Sequence, residues 1–217
     1  MYFVKKNLFK TIIILSILLL FFILISAYSY TNAISNNIAN SVFRLHVLAN
    51  SDSPQDQNLK LIVRDNLLSY MNSLIYNISS KEDAIKLVET HKQNFLDIAK
   101  QTIIDNGFDY DVSIEIGNFS FPTKNYGDIS LPAGFYDAIR VKIGKAEGKN
   151  WWCVMFPPLC FVDTSSGIVD ESSKKLLENS LSDEDYKLIN TASSSDIKFK
   201  FKIVEMFENA KIYLAQN

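Results

Sequence analysis

The hydrophobic and polar positions of this chain follow three different periods. Residues 11–27, TIIILSILLLFFILISA, form one apolar run with no charge, preceded by Lys5, Lys6 and Lys10. A helix apolar on every side is not the amphipathic helix of a globular surface. At about 1.5 Å per residue the run is slightly shorter than the roughly 30 Å hydrocarbon core. Basic residues ahead of it place the N-terminus inside and the rest of the chain outside. Small residues at Ala27 and Ser29, or at Ala33, suit signal cleavage, whereas the length of the run suits an uncleaved anchor. The chain thus divides into a signal peptide or membrane anchor over residues 1–29 and an exported globular domain over 30–217.

Beyond the anchor the period drops to two. From Val42 to Ala49, Phe43, Leu45 and Val47 alternate with Arg44, His46 and Leu48, which predicts a strand with one strongly apolar face. The turn Asn50-Ser51-Asp52-Ser53-Pro54 follows. Ser53 suits an N-cap, Pro54 the first helical position and Asp56 the capping-box position. Helical spacing then links Leu59, Ile62, Val63, Leu67, Tyr70, Met71, Leu74 and Ile75. A second helix starts after Ser80, carries Ala84, Val88, Phe95, Ala99 and Ile103 on its stripe, and ends at Asn106-Gly107.

Alternation returns at Val112–Ile116 and Phe135–Ile143. The polar turn 144–150 then leads into Trp151–Phe156, expected as an antiparallel partner of the preceding strand. Short helical stretches follow over Ser172–Ile189. Phe199, Phe201 and Ile203 alternate with lysines as a late edge strand, and Glu205–Leu214 reads as a final short helix. The predicted fold class is α+β: a helical hairpin packed on a mainly antiparallel sheet, preceded by the N-terminal hydrophobic helix.

Charge narrows the partners. The net charge is −2 including the three leader lysines, hence −5 for the remainder. An acidic domain without a basic stripe does not suit nucleic acid, because phosphate neutralisation needs clustered Lys and Arg. A protein partner fits better. The membrane is reached through the N-terminal segment if that segment stays uncleaved.

Catalytic templates are not met. No GxSxG, HExxH, Walker loop or GxGxxG occurs. His46 and His91, the two histidines, would each have to meet Cys153 or Cys160 to activate a thiol. Asp105, Asp109 and Asp111 gather around a turn but lack the bidentate glutamate of a calcium loop. Neither a metal site nor a cofactor is predicted. Outside the cytoplasm Cys153 and Cys160 can form a disulfide; the spacing leaves this and two buried thiols both open. Arg44 and Arg140 sit on strands and could pair with Asp52 or Asp65. The aromatic run NWWCVMFPPLCFVD, residues 150–163, places Trp151 and Trp152 on opposite strand faces, so one of them is available to a partner.

Three segments, FRLHVLANSDSPQDQNLKLIVRD (43–65), LPAGFYDAIRVKIG (131–144) and NWWCVMFPPLCFVD (150–163), closely resemble the stage II sporulation protein R family in the expected order. The resemblance covers nearly all of the exported domain. It implies a signal made in the forespore and exported into the space between the two membranes of the developing spore. There it would trigger a membrane-embedded aspartic protease that processes a mother-cell sigma-factor precursor. The chain would then be a ligand and not an enzyme. No established active-site residues carry over; the expected partner contacts are Arg44, His46, Asn50, Asp52, Arg140, Trp151 and Trp152. The competing expectation is an extracytoplasmic hydrolase acting on cell wall or peptide.

Overall fold

The computed structural model describes residues 2–75, 78–159, 169–190 and 195–216. Helix α1, Tyr2–Ser41, carries the apolar run and continues without a break past residue 29. Its side chains from Leu8 to Ile25 are exposed, whereas Thr31, Ile34 and Ile38 are buried in the domain. The last turns of α1 are therefore part of the fold. Lys81 donates to the Ala39 carbonyl at 3.0 Å, and Asn37 donates to Asp185 at 2.9 Å.

Strand β1, Phe43–Leu48, follows at once. Helix α2, Pro54–Leu74, begins as its sequence dictates, with the Ser53 hydroxyl accepting from the Asp56 amide. The capping box is not reciprocal: the Asp56 carboxylate turns back to Asn50 and Ser51. The expected second helix is two helices, α3 Lys81–Thr90 and α4 Lys92–Asp105, broken at His91. Strands β2 Val112–Phe121 and β5 Gly134–Ile143 are both ten residues long. Between them lies a small ribbon, β3 Lys124–Tyr126 and β4 Ile129–Leu131, which the sequence pattern did not reveal. Strand β6, Asn150–Phe156, and helices α5 Glu171–Ser180, α6 Asp183–Ile189 and α7 Ser195–Gln216 complete the chain.

The main sheet has the order β2-β5-β1-β6. The expected β5–β6 hairpin does not form, because β1 inserts between the two, parallel to β5 and antiparallel to β6. Alternation identifies strands but says nothing about which strand a later one will find. The α+β class holds, with an antiparallel-dominated sheet. Phe199, Phe201 and Ile203 belong to α7 and not to an edge strand. Their alternation is short, and buried Val204 and Glu208 continue it at helical spacing.

One sheet face is covered by the helical hairpin: Leu45, Val47, Ile139 and Val141 pack with Leu59, Val63, Phe95 and Ala99 in a single core. Arg64 of α2 lies 4.2 Å over the Trp151 ring, which places Trp151 on this face. On the opposite face the ribbon and α7 cover the end of the sheet near Gly134. Tyr126 reaches Arg44 there, and Glu208 lies against Gly134. Both faces of β1 are consequently buried, not just the apolar one.

Candidate interaction face

Two neighbouring rows cross this second face. The inner row is Gly117–Ala138–Arg44–Val154 and the outer row is Glu115–Arg140–His46–Trp152, each taking one residue from every strand. The missing side chain of Gly117 leaves room for the Phe119 ring, whose nearest atom would stand 3.4 Å from a Cβ there.

Arg44 is fully buried, contrary to its expected place at a partner surface. Its guanidinium carbon stands 4.1 Å from the Phe121 ring centre and 4.6 Å from that of Tyr136. Nη2 donates to the Tyr126 hydroxyl at 2.7 Å, and that hydroxyl donates to the Trp152 carbonyl at 3.2 Å. Nη1 has no hydrogen-bond partner. The expected pairing with Asp52 or Asp65 is not made: Asp65 binds Arg64, and Asp52 accepts from the Lys149 amide. The charge is stabilised by aromatic faces. Burial raises the Tyr126 and Tyr136 pKa values, and the nearby Arg44 charge opposes the rise.

The outer row is more open. The His46 ring stacks on Trp152 with centres 3.7 Å apart and planes at 19°. Its Nε2 lies 3.0 Å from Asn150 Oδ1, and its Nδ1 has no partner. Burial lowers the His46 pKa to about 4; Asn150 opposes this, and Arg140, Arg44 and Lys142 add to it. Beside it Arg140 Nε donates to Glu115 Oε2 at 3.0 Å and Lys142 Nζ donates to Glu115 Oε1 at 2.6 Å, while the Arg140 guanidinium covers the Phe119 ring at 3.9 Å. Hydrogen bonds from Lys142 and Arg140 hold the Glu115 carboxyl below its ordinary pKa. These side chains remain accessible: Arg140 at 27%, Lys142 at 33% and Glu115 at 41%. Trp152 is half-buried.

Asn50 and Asp52 hold a loop clasp. They fasten the β1–α2 turn to the β5–β6 loop. Asn50 Oδ1 accepts from the Lys145 amide at 3.0 Å, and Asp52 Oδ1 accepts from the Lys149 amide at 2.7 Å. The Gly148 amide donates to the Ala49 carbonyl at 2.9 Å. A Cβ on Gly148 would stand 2.2 Å from the Ser51 carbonyl oxygen, so the approach requires glycine. Burial would raise the Asp56 pKa, but hydrogen bonds from Ser51 and Asn50 outweigh it and hold the carboxylate ionised.

Of the expected contacts, then, the outer row brings together His46, Arg140 and Trp152, but His46 itself is buried beneath Trp152 and, unlike the other two, is not accessible to a partner. Trp151 is turned to the helices, Arg44 lies inside, and Asn50 and Asp52 form the loop clasp. Glu115, Phe119 and Lys142 were missed, although Glu115 and Lys142 occupy the polar positions of the alternation in their strands, on the same face as Arg140. Cys153 is disulfide-bonded and lies on the face opposite His46, so these two do not form a nucleophile pair. Cys160 lies outside the described residues. His91 bonds to Tyr70 at the α3–α4 break. Among the described residues no group of three or more His, Cys, Asp or Glu could hold a metal ion.

The fold is thus that of an α+β domain carried behind an apolar helix, with a polar and aromatic row as the accessible feature of its sheet. The profile of the stage II sporulation protein R family matches residues 39–166, a span holding the sheet, the hairpin and the clasp. A stage II sporulation protein R from Bacillus subtilis (strain 168) is 41% identical over 152 residues, covering 67% of this chain and 68% of the relative. The chain belongs to the stage II sporulation protein R family, which gives it a signalling role in sporulation. No solved structure matches it. The N-terminal apolar helix is long enough to act as a signal or an anchor.

Proposed function

We propose that the chain is an exported signal that activates a membrane-embedded aspartic protease, which in turn processes a mother-cell sigma-factor precursor. The observation that supports this reading is the outer row. With the adjoining Lys142 it presents a cation pair, a carboxylate and a stacked indole on rigid strands, where charge and aromatic contact can be offered together. A ligand of this kind acts by binding one state of its receptor better than the other, shifting the receptor toward its active form. No covalent step by the chain itself is needed. Cys153 is proposed to be bonded to Cys160, the other cysteine of the sequence, as suits an extracytoplasmic location.

The test is co-expression of the full chain with the candidate protease and the sigma-factor precursor in a host that does not sporulate. The expected result is precursor cleavage only when this chain is present and exported. No cleavage, with all three proteins folded and correctly located, would overturn direct activation.

A further inference from the structure

Helix α7 carries a stripe of exposed large hydrophobic side chains. Outside α1, the large hydrophobic side chains exposed among the described residues are Ile104 and four on α7: Phe199, Met206, Tyr213 and Leu214. Phe199, Met206 and Tyr213 recur every seven residues, which at 3.6 residues per turn sets them along one stripe. Val204 and Glu208 lie on the opposite stripe and are buried, with Glu208 against the start of β5. The apolar stripe therefore points away from the domain.

The place of α7 along α1 identifies what meets that stripe. Lys200 stands 5.8 Å over the Tyr30 ring, Phe207 packs on Tyr28 at 6.3 Å, and Lys211 donates to Asn32 at 3.0 Å. The α7 residues span eleven positions, about 16 Å of helix, whereas their α1 partners fall within about 6 Å. Helix α7 thus crosses α1 and does not run alongside it. The crossing lies at residues 28–32, immediately beyond the exposed apolar stretch that ends at Ile25. With α1 along the bilayer normal, the crossing point sits at the level of the membrane surface, just outside the apolar stretch. Tyr28, Tyr30 and Tyr213 are of the type that favours the headgroup level.

We infer that α7 is an interfacial helix. Its Phe199–Met206–Tyr213 stripe enters the outer boundary of the bilayer beside the anchor and fixes the orientation of the domain on the membrane. The occupant is lipid. Lys200, Lys202 and Lys211 are each paired with a glutamate, Glu184, Glu205 and Glu208, so apolar insertion and not headgroup charge supplies the contact. This inference stands apart from protease activation and would survive its failure.

The test uses the full chain in phosphatidylcholine–phosphatidylglycerol vesicles. Met206→Cys and Tyr213→Cys are labelled with a fluorophore, with exposed Ser113→Cys, at the far end of β2, as reference. Lipids brominated on their acyl chains should quench the labels at 206 and 213 at least threefold more than the label at 113, and aqueous iodide should show the reverse order. Equal bromolipid quenching at all three positions would overturn the inference. If the α7 labels were also shielded from iodide, a second copy of the chain would be the occupant; if iodide reached them freely, the stripe would face water.

Discussion

The inner and outer rows of the second sheet face share their strands and their register, and differ in what covers them. In the inner row Arg44 lies under Phe121, Tyr136 and Tyr126, fully enclosed. Two residues along each strand, Arg140 keeps about a quarter of its side chain accessible and shares Glu115 with Lys142. The same residue type is a structural post in one row and an accessible charge in the next. Position relative to the β3–β4 ribbon and α7, not side-chain chemistry, makes the difference. Changes in the inner row should therefore be felt in stability, and changes in the outer row in signalling.

The largest expected effect is at the inner row. Arg44→Ala removes the side chain that three aromatic rings enclose and should cost about 3 kcal/mol, as large-to-small core changes do. Arg44→Met keeps the volume and removes a buried charge with an unpartnered Nη1, so it should cost within about 1 kcal/mol. Urea denaturation of both variants measures the contrast; equal losses would show that the charge itself holds the row.

The clasp joining the ends of β1 and β5 comes next. Gly148→Ala would force a Cβ onto the Ser51 carbonyl. It should lower stability by about 2 kcal/mol, in the range of substitutions that force backbone to move. A thermal melt with an unchanged midpoint would mean that the two loops are not locked together.

His46 links the rows to pH. Its folded pKa of about 4 lies below the ordinary 6.5, so the unfolded chain binds the proton more readily. The contribution of neutral His46 is present in full above pH 6.5 and is lost as pH falls from there to about 4. Denaturation at pH 7.5, 5.5 and 4.5 should show the decline, and His46→Gln should flatten that part of it. A variant with the same pH slope as the native chain would remove His46 from the account.

The smallest stability effect is expected in the outer row. Arg140→Ala breaks a partly exposed ion pair and should cost under about 1 kcal/mol. A loss of several kcal/mol would erase the distinction between the rows.

The sequence disclosed the elements more readily than their neighbours. Ser53 and Pro54 marked the start of α2, and strict alternation marked β1 and β5. Nothing local indicated that β1 would separate β5 from β6, since that choice depends on pairing across a hundred residues. The alternation at Phe199–Ile203 misled because five residues cannot distinguish a short strand from one turn of a helix whose stripe continues at Val204 and Glu208. His46, Arg140 and Trp152 were found from residue type, and register then set them in one row. Arg44 was misplaced because its cover comes from Tyr126 and Phe121, distant in sequence and joined to it only by the fold.

The most direct measurement is precursor processing triggered by the Arg140→Ala/Lys142→Ala double variant, with its melting temperature taken on the same preparation. The expected result is a melting temperature within a few degrees of the native chain and a fall in processing of at least tenfold. Native-level processing by the folded double variant would contradict the claim that the outer row of the sheet carries the signal.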